Sequence, residues 1–259
     1  MKFNLTYKLI YLFLIGSFYS CSITKHIPEE ERLYTGATLT IESDSVIDNK
    51  PALKAELESV LRPEPNSKFL GMYLGLYYHY KNQKEHPGFI NRWLYKQFGE
   101  APVYQSDVET YDVEDLLLNR LENRGFFYSR ASSAFQEEEK KASVDYTVKV
   151  TKPYRMESYQ LDTLPNPIKK DIQDLVKESP FKEGMRFDLS SMKLERKRMD
   201  QALKKKGYYN FNNNFLIFEA DTNRYDNKKF DLFLKLKNEV AGKGLIPYGL
   251  SKTNISPNY

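Results

Sequence analysis

Twice along the chain, apolar positions switch from a step of three or four to a step of two. In "YDVEDLLLNRLENRG" (111–125), Val113, Leu116, Leu117 and Leu121 fall on one face of a helix. Asp112 is placed to cap its start and Gly125 to cap its end. "FFYSRASSAF" (126–135) then reads as a strand, "QEEEKK" (136–141) as a charged turn, and "ASVDYTVKV" (142–150) as a half-buried strand with Val144, Tyr146, Val148 and Val150 on one side. The order returns in "FDLSSMKLERKRMDQALKKKG" (187–207), where Leu189, Met192, Met199, Ala202 and Leu203 share a helical face and Gly207 is the end cap. "YYNFNNNFLIFEA" (208–220) reads as a strand, "DTNRYDNKK" (221–229) as a turn, and "FDLFLKLK" (230–237) as a strand with Phe230, Leu232, Leu234 and Leu236 on one side.

Upstream of each helix lies another matched pair. "ERLYTGATLTIES" (31–43) and "YRMESYQLDTL" (154–164) read as first strands. "NKPALKAELESVLR" (49–62) and "NPIKKDIQDLVKES" (166–179) read as first helices, each with a proline near its start, where the missing N–H costs nothing. The unit is β-α-α-β-β, written twice, and the expected class is α+β with helices packed on small sheets. The expected boundaries are 33–152 and 153–238, with a linker near Thr151–Arg155. The first unit carries an insertion at 63–106. It contains "KFLGMYLGLYYHY" (68–80), an extra helix or a partner-binding surface, and "PGFINRWLYKQFGEAPV" (87–103), a helix expected to bury Ile90, Trp93, Leu94 and Phe98.

The N-terminal stretch has a different texture. Lys2 and Lys8 precede an apolar run from Leu9 to Phe18, too short to span a bilayer and of the length of a signal-peptide core. The run ends near Cys21, the one cysteine of the chain. That placement predicts a lipoprotein signal at 1–20 with acylation (palmitate) at Cys21; an ordinary secretory signal is the alternative. Residues 21–32 read as a polar tether, and 239–259 as a tail or the opening of a third unit.

Charge and chemistry narrow the function. The 259 residues carry 39 basic and 35 acidic side chains, too balanced for a nucleic-acid footprint. His26, His79 and His86 form no metal-binding spacing; His79 reads as a helix-surface residue and His86 as a turn residue. No phosphate-binding loop, nucleophile elbow or dinucleotide motif occurs, so a non-enzymatic protein without cofactor or metal is expected.

A β-α-α-β-β unit whose second helix ends in Gly-aromatic-aromatic, as in Gly125-Phe126-Phe127 and Gly207-Tyr208-Tyr209, resembles the polypeptide-transport-associated (POTRA) domain. Two such units behind "CSITKHIPEEERLYTGATLTI", with "WLYKQFGEAPV" before a second helix, resemble the Bacteroidetes lipoprotein branch of the BamA/TamA surface-antigen family, over residues 21 to about 238. Members of that family usually continue into a C-terminal outer-membrane β-barrel, so the chain is expected to be a truncated or split member. The resemblance implies an outer-membrane, lipid-anchored protein facing the periplasm and working in outer-membrane protein assembly or translocation. Its partners would be unfolded outer-membrane protein clients, taken up by β-augmentation, and a barrel domain or separately encoded barrel. It also implies that the strand after each glycine, 126–136 and 208–219, is the working edge, with Phe127, Ser129, Phe211, Asn213, Phe215 and Ile217 as contact residues. A docking module for one folded partner, with 69–98 as the contact, is the alternative, and an unrelated α+β envelope lipoprotein a third.

Overall fold

The computed structural model describes residues 23–84 and 86–249. The expected signal peptide, Cys21 and the tail from residue 250 lie outside the described residues. The chain divides into two compact units, Met1–Asn119 with Arg130–Lys149, and Arg120–Ser129 with Val150–Tyr259.

The elements run β1 (Leu33–Ser43), α1 (Lys50–Glu58), α2 (Leu74–Asn82), α3 (Phe89–Phe98), α4 (Thr110–Asn123), β2 (Arg130–Glu137) and β3 (Lys141–Val150). They continue with β4 (Arg155–Leu161), α5 (Ile168–Lys177), α6 (Leu189–Lys205), β5 (Leu216–Asp221) and β6 (Lys229–Leu236). Among the described residues these strands form two three-stranded sheets, ordered β1-β3-β2 and β4-β6-β5. Each hairpin is antiparallel, and β4 runs parallel to β6. The last strand of each unit is therefore central, and the strand after each glycine is an edge. This is the α+β arrangement that the repeat predicts, with α2 and α3 inserted in the first copy.

In the first unit, β3 buries Ala142, Val144, Tyr146, Val148 and Val150, while α1 buries Leu53 and Leu57. α4 starts at Thr110, so Asp112 is not its cap. It lies in the first turn, where a carboxylate meets the positive end of the helix dipole. The insertion is closed at its base by Asn66. This buried amide donates to Ala101 O at 2.7 Å and accepts from Val103 N–H at 2.9 Å. Glu100 bonds Ser67 beside it, and those bonds hold its carboxyl below the usual carboxylate range.

Two expectations fail in this unit. Ile23 and Ile27 are buried against Tyr73 and Leu76, and Thr24–His26 forms a helical turn, so this part of the expected tether is packed. α3 buries none of its residues; Ile90, Trp93 and Phe98 are exposed, because the helix turns the face with Tyr95 toward His79 of α2.

In the second unit, Ile168, Ile172 and Leu175 of α5 pack with Met199 and Leu203 of α6, Leu216 of β5 and Leu234 of β6. α6 also buries two acids. Glu195 pairs through both oxygens with Arg198 at 2.8 Å, and Arg198 reaches Leu175 O at 2.6 Å, tying α6 to α5. Asp200 pairs with Lys204 at 2.9 Å. Such pairs satisfy buried charge more than they add stability.

The two glycine corners have the same hydrogen bonds. Gly125 N–H donates to Glu122 O and Phe126 N–H to Leu121 O; Gly207 N–H donates to Lys204 O and Tyr208 N–H to Leu203 O. Each is a Schellman motif with glycine at the left-handed position, φ +82° and +96°. The following aromatic, Phe126 or Tyr208, is 1% exposed. A Cβ on Gly125 would lie 2.8 Å from Phe187 O, and one on Gly207 2.7 Å from Tyr248 O. Tyr154 N–H donates to Gly125 O and Tyr248 N–H to Gly207 O, at 2.9 and 2.8 Å. The repeated phrase therefore extends to Pro153-Tyr154 and Pro247-Tyr248.

Candidate functional site

Each sheet has two edges, and in each unit the start of one is covered. β1 is capped by the chain before α4: Tyr34 N–H donates to Val103 O and Gln105 N–H to Arg32 O. β4 is capped by the chain before α6: Met156 N–H donates to Met185 O, Gly184 N–H to Met156 O and Phe187 N–H to Tyr154 O. These bonds cover the first residues of β1 and β4, where a covered edge offers no template for an added strand.

β5 is the contrasting edge. Hydrogen-bonded and non-hydrogen-bonded pairs alternate in an antiparallel ladder. Lys237 N–H donates to Phe215 O, so Ile217, Glu219 and Asp221 face β6, and Leu216, Phe218 and Ala220 turn their backbone groups outward. Arg196 of α6 donates to Leu216 O at 3.0 Å. Among the described residues no backbone bond from another segment reaches Phe218 or Ala220. Beside this edge lies a groove of about 420 Å³, lined by Phe127, Phe187, Met192, Lys193, Arg196, Ile217 and Phe218. Its floor is apolar and its helix side carries two cations.

The walls are held from beneath. Asp188 caps α6, accepting from Ser191 N–H at 2.9 Å, and pairs with Arg124. Burial works against the Asp188 charge, but the Ser191 bond and Arg124 outweigh it and hold the carboxyl below its usual range. Phe127 packs edge-on against Phe187 and Tyr154, at 5.1 and 5.4 Å between ring centroids.

The expected contact residues separate into three groups. Phe127 and Ile217 line the groove. Phe215 packs against the core and Asn213 sits with it in a helical turn, because Asn212 accepts from Asn214 N–H and curls the chain. Phe211 is 2% exposed and belongs to the core. Ser129 is a turn residue: its hydroxyl donates to Phe126 O and accepts from Thr151 N–H. Tyr128 at φ +60° breaks any extended run there. The strands thus begin at Arg130 and Leu216, later than the sequence suggested.

Phe187, Met192, Lys193, Arg196, Phe218 and Ala220 were missed. Leu189, Met192, Lys193 and Arg196 follow the i, i+3, i+4, i+7 spacing of one helix face. Leu189 and Met192 read as an apolar helical face, and Lys193 and Arg196 beside them gave no apolar signal.

β2 also has an open side. Glu138 N–H donates to Lys141 O, so Ala131, Ser133 and Phe135 turn their backbone groups outward. Apart from Phe135 its side chains are small or polar, and Ser133 is bonded to Glu114 of α4. Among the described residues, no group of His, Cys, Asp or Glu is placed to hold a metal ion. No described helix is long and apolar enough to cross a membrane.

No family model matches the chain, and no curated protein matches it. Solved structures similar to it include POTRA domains 3–5 of BamA from Haemophilus influenzae, at 13% identity and TM-score 0.40, covering 81% of this chain and 68% of that one. POTRA domains 1–3 of the periplasmic domain of Omp85 from Anabaena match at 12% identity and TM-score 0.34, covering 80% and 62%. BamA from Haemophilus ducreyi lacking POTRA domains 1–3 matches at 17% identity and TM-score 0.33, covering 50% and 23%. At these identities and TM-scores the likenesses carry no functional weight; the open edge and its groove do.

Proposed function

We propose that the chain is a non-enzymatic polypeptide-binding protein of the bacterial envelope, which takes up extended client segments by strand addition at β5. The observation that carries this reading is the backbone of Phe218 and Ala220, turned outward beside an apolar groove, while the opposite edge, β4, is covered at its start. Backbone pairing gives affinity without reading sequence, and the groove accepts alternate side chains of the added strand. An unfolded outer-membrane protein suits such a site, since it arrives as extended chain with alternating apolar residues.

The setting follows from the N-terminal stretch and the repeated unit. Both support a POTRA-like protein anchored at the outer membrane through an acylated Cys21, facing the periplasm and cooperating with a β-barrel. The seating of Pro247-Tyr248 on Gly207, matching Pro153-Tyr154 on Gly125, supports reading the chain after Tyr248 as the opening of a third unit.

Proline at Ala220 tests the site. It removes an outward N–H and leaves the ladder to β6 intact, the position where edge strands tolerate proline. Binding of an unfolded, alternating ten-residue strand peptide, followed by fluorescence anisotropy, should weaken at least tenfold in Ala220→Pro with an unchanged melting temperature. Undiminished binding refutes the edge. A saturable complex with one folded barrel, and none with extended peptides, favours the docking alternative.

A further inference from the structure

α3 presents an apolar face that no described element covers. Phe89, Ile90 and Trp93 are 77%, 68% and 53% exposed. At 100° per residue the three lie within one narrow arc, opposite Asn91 and Tyr95. Tyr95 packs toward His79 of α2, at 5.7 Å between ring centroids. Arg92 and Lys96 lie along one side of the apolar arc, Gln97 falls within it, and the helix contains no acid. Phe98 ends the same helix, 59% exposed. Near this end emerges the turn at Phe69 and Leu70, also exposed, because Ser67 N–H bonds the Glu100 carboxylate. An apolar patch of this kind on a packed helix pair marks an interaction surface.

The chain on the other side of α2 indicates what covers it. Ile23 and Ile27 are buried with Tyr73 and Leu76, and His26 stacks on Tyr80 at 5.0 Å and 20°. Ile23 comes two residues after Cys21 and five after Phe18, the end of the apolar run. Even fully extended, chain spans only about 3.3–3.6 Å per residue, so Cys21 is within roughly 7 Å of Ile23 and Phe18 within roughly 18 Å. With either anchor, acylated cysteine or retained apolar run, no slack remains to hold the α2–α3 pair away from the bilayer that holds the N-terminus. α3 packs on α2 through Tyr95 and His79, so that bilayer is the apolar medium nearest the helix pair. An aromatic and aliphatic face edged by Arg and Lys is the composition that lies in the headgroup region, where cations meet lipid phosphates.

We propose that the α3 face formed by Phe89, Ile90 and Trp93, edged by Arg92 and Lys96, docks in the plane of the membrane that anchors the chain. The inference rests on the membrane-anchored reading of the N-terminal stretch and is independent of strand binding at β5.

Trp93 is the one tryptophan of the chain and serves as its own probe. The full chain is reconstituted into phosphatidylethanolamine and phosphatidylglycerol vesicles with brominated or ordinary acyl chains, and flotation is measured alongside Trp93 emission. The chain should float, with Trp93 emission shifted to the blue and strongly quenched by the brominated lipid. In the double variant Phe89→Ser, Ile90→Ser the chain should still float, with most of the quenching lost; these side chains are exposed, so the fold tolerates the change. A chain that floats with Trp93 unquenched overturns the docking face alone, as does quenching equal in wild type and variant. A chain that fails to float overturns the anchor and the inference together. Protection of Trp93 in native membranes but not in pure lipid assigns the face to a protein partner and overturns the lipid occupant.

Discussion

The corners at Gly125 and Gly207 match bond for bond, yet the chain leaves them differently. After Gly125, β2 begins at Arg130; after Gly207, β5 does not begin until Leu216. The extra residues form the Asn-rich turn that sinks Phe211 into the core. Phe135 aside, β2 emerges with small and polar side chains, and β5 with Leu216, Ile217 and Phe218 beside a groove. The corner is a joint required by the fold in both copies; the residues after it decide which edge is dressed for binding. The first copy places its exposed apolar surface elsewhere, on the inserted α3.

Substitutions at matched positions test how far the likeness goes. Phe126→Ala and Tyr208→Ala should each cost about 3–5 kcal/mol in urea unfolding, since each removes a buried ring at the C″ position of its motif. A large asymmetry between them would break the equivalence of the corners.

Gly125→Ala and Gly207→Ala should each cost about 1–3 kcal/mol for a left-handed non-glycine residue, pushed toward the upper end by the carbonyls of Phe187 and Tyr248. Gly184, at φ +80° with nothing within 4 Å, is the control: Gly184→Ala should cost less than either. Equal costs at all three would show that close approach adds nothing.

Tyr208→Phe sharpens the difference, because Phe126 has no counterpart to the Tyr208 hydroxyl, which donates to Asp171 at 2.7 Å. At pH 7 the loss should be about 1–2 kcal/mol, reduced by the partial exposure of the carboxylate. Lys206 first, then Tyr208, hold the Asp171 carboxyl below its usual range. A lowered folded-state value stabilises the fold above the unfolded value of about 3.9, and that contribution is lost as pH falls through the folded value. The gap between wild type and Tyr208→Phe should therefore narrow in acid below about pH 4. A gap independent of pH would remove the charge from the explanation.

Asp188→Ala should cost about 1 kcal/mol through the lost helix cap, with the lost ion pair to Arg124 adding to it. The smallest effect is expected at the polar edge. Ala131→Pro removes an outward N–H from β2 and should change stability by no more than about 0.5 kcal/mol, with peptide binding unchanged. Loss of peptide binding there would make the two edges equivalent.

The sequence by itself determined the element order, the tandem β-α-α-β-β repeat and both glycine corners. These depend on neighbours within a few residues: helical and strand periodicity, and a left-handed position that glycine occupies at least cost. Tertiary structure decided the rest. Phe211 and Ile217 are equally apolar and six residues apart, yet one is core and the other lines a groove, because what lies opposite is supplied by α5 and α6. Glu195 and Asp200 are buried acids that no periodicity announces, and Arg198 and Lys204 meet their charges. Ile90 and Trp93 read as core residues, but the helix turned Tyr95 inward and left them out. The cover over the starts of β1 and β4 was decided by the segments Val103–Gln105 and Gly184–Phe187, whose backbone bonds join residues far apart along the chain and leave no trace in its periodicity.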